Sequence, residues 1–280
     1  MRELTLTTPA RLSLLIAFSL ACASSAATGA GTSGCTTKFE DRFTNGTLDS
    51  SEWTTQDRPG NGQGTARAQL EYLAPSAIHT GSGGLKITAT ESNGTPKSGL
   101  PYIGGQIETV RSFLYGHFEF VARMPAGRGL WPALWLRTPL GKPFDGEIDL
   151  TEGYGSHPDR IQSTLHPWHN GVEPRFYCAI VDLGHGFASS TGPCENRSSE
   201  VPSSSAGLAD TFHTYAVDWQ PNSITWSLDG TPYYTLTQDI PNEPMIIVID
   251  LALSAAHDGQ PDESLRLPQS LDVSRVSVCQ

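Results

Sequence analysis

The alternation of apolar and polar residues along the chain predicts an all-β protein. Segments 69–73, 84–90 and 115–124 alternate in the way that is typical of strands with one buried face. The most apolar run, 245–253, predicts a central strand, and Asp229-Gly230 predicts the tight turn of a hairpin. We find neither a helical period nor an internal repeat. Roughly a dozen short strands joined by turns predict a β-sandwich of the jelly-roll type.

One predicted strand, within residues 146–155, contains three carboxylates. Glu147 and Asp149 are two positions apart, so their side chains share one face of the strand. Glu152 is five positions from Glu147, and a regular strand would turn it to the opposite face. One extra residue at Leu150-Thr151, a β-bulge, would return Glu152 to the face of the other two. We therefore predict a bulged strand with one acidic face.

The predicted spacing of Glu147 and Glu152 suits a pair of catalytic carboxyls. With the bulge, their Cα atoms lie on the order of 13 Å apart. Two glutamate side chains that lean together can reduce the carboxyl separation to roughly 5–5.5 Å, the value of a retaining glycosidase, whereas an inverting enzyme needs a wider gap. The alternative is an edge strand that carries charges against aggregation, but such a strand does not require an E-x-D-x-x-E spacing.

Each of the three acids has an expected role. Glu147 is expected to stay ionised and to attack the anomeric carbon of a sugar. Glu152, with a pKa raised by burial and by a nearby negative charge, is expected to protonate the leaving oxygen and later to deprotonate water. Asp149, between them, is expected to orient Glu147 by hydrogen bonding.

Further side chains are candidates for contact with a sugar chain. Trp131 and Trp135 are four positions apart on one strand and share a face; we expect one of them in the core and Trp131 to be exposed. His166 follows the acidic strand by about one strand length, so we expect it beside Glu152, where it would tune proton affinity. Trp168 is expected to line the cleft. Glu71 is either a polar contact of the sugar or an ordinary surface residue.

The N-terminal residues predict export. An apolar run at 12–21, too short to span a membrane, follows two arginines and precedes small residues, which is the pattern of a signal peptide over 1–27. A short linker, 28–34, leads to a single domain, 35–280. The net charge of −11 argues against nucleic acid and anionic membranes as partners and favours a neutral polymer.

Four cysteines remain after the predicted signal peptide: Cys35, Cys178, Cys194 and Cys279. An even number in an exported chain predicts two disulfides, for which three connectivities are open. Cys178 and Cys194 bracket a Gly/Ser-rich loop and pair most economically. Cys35 and Cys279 would then tie the two ends of the domain together. A metal site is the alternative, but the Cys-x-x-Cys spacing typical of such sites is absent from the sequence.

Several motifs together resemble glycoside hydrolase family 16 over almost the whole mature chain. They are Gly84-Leu85-Lys86-Ile87, Tyr115-Gly116-His117-Phe118-Glu119, Trp131-Pro132-Ala133-Leu134-Trp135, the acidic strand 146–152, Thr164-Leu165-His166 and 212–219. The resemblance implies a concanavalin-like jelly roll whose concave sheet forms a glycan-binding cleft. It also implies retaining endo-hydrolysis, with Glu147 as nucleophile, Asp149 as assisting acid and Glu152 as acid/base. Residues 176–194 are an insertion relative to the family and are interpreted as a loop.

The bulged spacing is similar to the laminarinase branch of the family, which implies a secreted endo-β-glucanase. Its expected substrate is β-1,3-glucan or mixed β-1,3-1,4-glucan, because sulfated galactans would require Arg and Lys in the cleft. A glucan transglycosylase, which shares the covalent intermediate, and a non-catalytic lectin-like jelly roll remain alternatives. We expect a monomer that needs no cofactor for catalysis.

The resemblance also implies a structural calcium on the convex side of the sandwich. Glu40 and Asp272 match acidic positions of that site, which backbone carbonyls would complete. Carboxylate and carbonyl oxygens are the ligands that calcium prefers. A calcium ion held by these two residues is therefore a further expectation.

Overall fold

The structure is a computed structural model that describes residues 35–65, 68–92, 99–141, 146–168, 172, 175–184, 193–201 and 207–280. The predicted signal peptide and linker lie outside these residues. Strands dominate the described part, in which the one α-helix is a single turn, Ala255–Asp258, and short 3-10 turns lie at Pro75–Ala77 and Ser198–Glu200. Among the described residues, no helix has the length and apolarity needed to cross a membrane.

Eighteen strands form the described part of the fold. In chain order they are β1 (Thr37–Asp41), β2 (Trp53–Thr55), β3 (Arg58–Pro59), β4 (Glu71–Leu73), β5 (Ile78–Gly81), β6 (Gly84–Glu91), β7 (Tyr102–Thr109), β8 (Gly116–Arg123), β9 (Leu130–Arg137), β10 (Gly146–Tyr154), β11 (His157–Pro167), β12 (Tyr177–Asp182), β13 (Glu195–Asn196), β14 (His213–Gln220), β15 (Ser223–Leu228), β16 (Thr231–Leu236), β17 (Ile246–Leu253) and β18 (Gln269–Cys279).

The first sheet contains the first and last described strands. Its strands pair in the order β5, β6, β18, β8, β14, β15 and β16, and β1 lies beside the C-terminal half of β18. Phe118 and Phe120 of β8 are buried between half-buried neighbours, which is the predicted alternation. Asp229 and Gly230 have φ angles of 49° and 76°. These values confirm the predicted hairpin turn between β15 and β16.

The second sheet contains the acidic strand, β10. Its strands pair in the order β2, β7, β17, β9, β10, β11, β12 and β13. All eight residues of β17 are buried, and the strand lies between β7 and β9, as predicted for a central strand. β7 also pairs with β4 and with β6, which links the two sheets at one edge.

An aromatic core joins the two sheets. Phe39 lies 5.7 Å from both Trp53 and Phe113, measured between ring centroids, and Phe113 lies 6.0 Å from Phe118. Phe118 in turn lies 6.3 Å from Trp219. Burial of each such ring stabilises the fold by about 1.5–3 kcal/mol. Because Phe39 and Phe118 belong to the first sheet and Trp53 to the second, the molecule is the β-sandwich of the jelly-roll type that the sequence predicts.

Two disulfides have the connectivity that the sequence favours. Cys35 pairs with Cys279 at a Cα–Cα distance of 5.6 Å, beside the pairing of β1 with β18. Cys178 of β12 pairs with Cys194 at 4.6 Å, directly before β13. The first bridge therefore joins positions near the two ends of the domain, and the second joins β12 to the residue that precedes β13.

The insertion at 176–194 is not only a loop, as the sequence interpretation had it. Residues 177–182 form β12, which pairs with β11 and widens the second sheet beyond the acidic strand. Ala179 and Val181 are fully buried. Four consecutive buried residues in β12 give no alternation between apolar and polar positions, so the strand lacked the signal used to find the others.

Candidate active site

A β-bulge at Leu150-Thr151 brings the three carboxylates to one face of β10, as predicted. Asp149 pairs with Thr164 of β11, and Glu152 pairs with Gln162, so three steps along β10 match two along β11. The pairing of β10 with β9 contains the same extra residue. The bulge is therefore present on both sides of the strand, and we call the face that it creates the acidic face.

Hydrogen bonds from neighbouring elements hold the bulge in place. The indole Nε1 of Trp226, in the first sheet, donates to the backbone oxygen of Asp149 at 2.9 Å. The hydroxyl of Ser163 donates to the backbone oxygen of Leu150 at 2.6 Å. A buried carbonyl without a partner costs about 1–3 kcal/mol. The fold thus stabilises the irregular strand that the carboxylates require.

The carboxylates of the acidic face line a single cavity of about 150 Å³. Glu152 therefore faces the same space as Glu147 and Asp149, instead of the sandwich interior. Two tryptophans and several polar side chains complete the walls. The lining residues are Asn61, Gln69, Gln106, Trp131, Ala133, Trp135, Glu147, Asp149, Glu152 and Asp250.

Glu152 is held by three side-chain donors. Trp131 Nε1 donates to Glu152 Oε1 at 3.0 Å. Gln162 Nε2 and Thr164 Oγ1 each donate to Oε2 at 3.3 Å. Glu152 is 8% exposed, so the carboxyl meets the cavity while its orientation is set by the protein.

His166 lies beside Glu147, and the prediction that it neighbours Glu152 is wrong. His166 is opposite Glu147 in the β10–β11 register. Its Nε2 is 3.8 Å from Glu147 Oε1 and 3.5 Å from Asp149 Oδ2. β11 already begins at His157, directly after the turn, so Gln162 is the residue that reaches Glu152. Spacing along the chain did not reveal where the hairpin turns.

The pKa of Glu147 is raised well above its ordinary value. Burial is the main cause, the charge of Asp149 adds to it, and His166 acts in the opposite direction. The expectation of an ionised Glu147 stays a prediction. A side-chain oxygen of Glu147, one of Asp149 and a ring nitrogen of His166 lie within 4.8 Å of one another. Because like charges this close repel, the Asp149 carboxylate opposes ionisation of Glu147.

Both tryptophans of β9 face the cavity, whereas we expected one of them in the core. Trp131 bonds to Glu152, and Trp135 Nε1 donates to Asp250 Oδ1 at 2.6 Å. Leu134 and Leu136 of the same strand are fully buried and form its core face. Because β9 has no irregularity between the tryptophans, positions four apart remain on one face.

Glu71 is buried and does not line the cleft. Its side chain is 0% exposed, and its Oε2 accepts a hydrogen bond from the backbone N–H of Leu253 at 2.8 Å. A carboxyl without exposed surface cannot contact a sugar directly, so that prediction is wrong. Trp168 is half-buried directly after the end of β11, and its contact with substrate stays a prediction.

Sequence reasoning missed several polar residues in the cleft or directly beside its acids. Asp250 of β17 is 6% exposed and accepts from Trp135. Arg137 forms a buried ion pair with Glu108 at 2.9 Å. Gln162 lay within a predicted strand, but its partner in β10 was unknown. Asp250 lies in the predicted central strand. A single acid among aliphatic residues was the sequence feature that could have indicated its role.

Two buried acids predict that the fold loses stability as pH rises. Burial raises the pKa of Asp250 to about 8 and that of Glu71 to about 7, whereas unfolded carboxyls titrate near ~4. The folded state therefore binds more protons, and the stabilising contribution is complete below ~pH 4. It is lost as pH rises through about 7 and then about 8.

Asp250→Asn and Glu71→Gln should each flatten the decline of melting temperature between roughly pH 4 and pH 8. Thermal unfolding monitored by circular dichroism measures this slope. Glu243→Gln, at an exposed position, is the matched control and should leave the slope unchanged. A slope that is the same in all four proteins contradicts the assignment.

Glu40 and Asp272 are each paired with basic side chains in the structure. Asp272 is paired with Arg123 at 2.5 Å and with Lys86 at 2.9 Å, and Glu40 is paired with Arg42 at 2.9 Å. Glu40 lies opposite Ser277, five positions along β18 from Asp272. Each carboxylate is thus paired with its own cation, and the calcium ion expected at this pair stays a prediction.

Fold and site together define a glycoside hydrolase of the jelly-roll class. A family model described as "Glycosyl hydrolases family 16" matches residues 68–264. The chain belongs to this family, which confirms the resemblance noted in the sequence.

Relatives and solved structures agree with this membership. A beta-glucanase of Rhodothermus marinus is 28% identical over 77% of this chain and 74% of its own length. A glucan endo-1,3-beta-glucosidase of Cryptopygus antarcticus is 36% identical over 48% of this chain and 44% of its own length. The chain thus spans most of the first relative and less than half of the second. The laminarinase catalytic domain from Thermotoga maritima MSB8 shares the fold, with a TM-score of 0.74, 22% identity and coverage of 88% of this chain and 98% of that one.

Proposed function

We propose that the protein is a secreted endo-glycosidase that hydrolyses β-1,3-glucan or mixed β-1,3-1,4-glucan with retention of configuration. The observation that carries the proposal is the bulge that sets Glu147 and Glu152 in one cavity. Relatives named beta-glucanase and glucan endo-1,3-beta-glucosidase support the substrate. Two disulfides support export, because such bonds persist in oxidising compartments.

The reaction proceeds as a double displacement. The Glu147 carboxylate attacks the anomeric carbon while Glu152 donates its proton to the leaving glycosidic oxygen, so the C–O bond breaks and a glycosyl ester forms. In the second step, Glu152 takes a proton from water, whose oxygen attacks the same carbon and releases Glu147. Side chains of this chain carry out every step, without a cofactor.

Asp149 and His166 set the charge of the nucleophile in this scheme. Attack requires an ionised Glu147, whose pKa is raised by burial and by Asp149. His166 lies within 4 Å of both acids, at 3.8 Å and 3.5 Å, and favours the ionised form of Glu147. Asp149 is 3% exposed and orients Glu147 between the other two groups. One chain supplies all of these residues, which is why we infer an active monomer.

Digestion of laminarin, lichenan, agarose and chitin, followed by nuclear magnetic resonance of the first products, tests the proposal. We expect cleavage of laminarin or lichenan, a mixture of internal fragments, and a β-anomer that appears before mutarotation. An initial α-anomer would overturn the double displacement. Products longer than the substrate would identify a transglycosylase, and binding without new reducing ends would identify a lectin.

A further inference from the structure

Three aromatic rings stack at the Glu152 end of the acidic face. His257 lies between Trp131, with a centroid distance of 4.5 Å and an interplanar angle of 10°, and Tyr154, with 4.3 Å and 16°. His257 Nε2 is 3.0 Å from the backbone oxygen of Gly153. Because a carbonyl oxygen only accepts, Nε2 carries the hydrogen. The Ser254 hydroxyl accepts from the backbone N–H of His257 at 3.3 Å and caps its helical turn.

Hydrogen bonds from both outer rings of this stack lead to Glu152. Trp131 Nε1 donates to Glu152 Oε1 at 3.0 Å. On the other side, the Tyr154 hydroxyl donates to Gln162 Oε1 at 2.9 Å, and Gln162 Nε2 donates to Glu152 Oε2 at 3.3 Å. Trp131, His257, Tyr154 and Gln162 therefore form a closed chain of contacts around one carboxyl. We call these four residues the Glu152 collar.

We propose that His257 is a positioning residue that holds Glu152 in its catalytic orientation by keeping Trp131 and Tyr154 apart. The inference rests on the acid/base role proposed for Glu152. His257 fills the space between the two rings and is itself anchored to Gly153, the next residue after Glu152. Without this ring, Trp131 loses the surface that fixes its plane. Its N–H bond to Glu152 then weakens, since hydrogen bonds depend steeply on direction.

The collar supplies a donor to each oxygen of Glu152. Trp131 donates to Oε1 and Gln162 donates to Oε2, so both oxygens are fixed in direction. Burial lowers the pKa of His257, so the ring between Trp131 and Tyr154 is a neutral spacer. A displacement of about 1 Å at a catalytic group can reduce a rate about a hundredfold.

Aryl oligo-β-1,3-glucosides with good and poor leaving groups test this role. A 2,4-dinitrophenolate departs without a proton, whereas a poor leaving group such as a sugar or unsubstituted phenol needs the general acid. We expect His257→Ala to lower kcat/KM by about tenfold to a hundredfold for the poor leaving group, a part of the ~10²–10⁴ that general acid catalysis supplies. The value for the dinitrophenyl substrate should stay nearly constant. Both substrates carry the same sugar part, so a change in its binding affects both values of kcat/KM equally and cancels in their ratio.

His257→Phe keeps a flat ring in the stack and should restore most of the ratio. His79→Ala, at an exposed position in the first sheet, is the matched control and should leave the ratio at the wild-type value. Thermal unfolding of each variant verifies that the fold is retained. An equal loss for both leaving groups in His257→Ala and His257→Phe would overturn the positioning role.

Glu152→Gln, measured with the same two substrates, distinguishes a failure of the His257 positioning role from a failure of the acid/base role of Glu152. If Glu152→Gln loses rate only with the poor leaving group and His257→Ala loses none, the positioning role fails and the proposed function stands. If Glu152→Gln loses rate equally with both substrates, the acid/base role of Glu152 fails. The role of His257 then fails with it.

Discussion

Glu147→Gln should reduce the rate of polysaccharide cleavage by about 10⁴-fold or more, as expected when a nucleophile is removed. The amide has nearly the shape of the carboxyl but cannot form the glycosyl ester. The Glu147 side chain is 28% exposed and lies beside His166, so the replacement does not open a cavity in the core. Reducing-end release from laminarin over several hours measures the residual rate.

Binding and stability distinguish this result from general damage. Calorimetric titration with laminari-oligosaccharides should give an affinity within a few fold of the wild type, because both tryptophans and Glu152 remain. Glu40→Gln is the matched control and should keep full activity, because Glu40 is an exposed residue of the first sheet whose side chain pairs with Arg42. Normal turnover by Glu147→Gln would refute the assignment of the nucleophile.

The acidic face could be predicted because the positions of its three acids within one strand determine it. A strand places side chains with a period of two, so Glu147 and Asp149 had to share a face. The five-residue step to Glu152 made sense only with one extra residue, and the structure contains it at Leu150-Thr151. Nothing in the local sequence showed that Trp226, 77 residues away, bonds to the bulge. The irregularity could be inferred, but not what stabilises it.

Residues whose roles depend on register between strands were harder to predict. His166 and Gln162 both lie on β11, four positions apart, and the position of the turn decides which of them meets Glu152. Asp250 and Glu71 lie on strands far from β10 in sequence. Whether an acid is exposed or buried at such a position is decided by the neighbouring strands, and Glu71 is the residue for which the sequence misled us.

The charge state of the site depends on the assembled structure as well. The packed site raises the pKa of Glu147 through burial and through the charge of Asp149, an effect that the sequence alone did not indicate. His257 is a similar case. Its relevance to Glu152 appears only when β9, β10 and the short helix Ala255–Asp258 are brought together.

Loss of the Cys35–Cys279 disulfide should destabilise the fold more than loss of Cys178–Cys194. The first bridge joins residues 244 positions apart, and the second joins residues 16 apart. Cross-linking the longer segment restricts the unfolded chain more, which corresponds to about 5 kcal/mol against about 3 kcal/mol in the chain-entropy model. Because a domain is stable by only ~5–15 kcal/mol, the first loss removes a large fraction of the total.

Double serine variants at each pair, unfolded in urea, measure the difference. The Cys35/Cys279 variant should have the lower midpoint but retain its activity at 25 °C, since its bridge lies beside β1 and β18 in the first sheet. The Cys178/Cys194 variant should lose less stability. Its β12 pairs with the strand that carries His166 and Gln162, so it is the variant in which kcat should change. The reverse order of midpoints would show that native-state contacts, and not the restricted unfolded chain, determine what each bridge contributes.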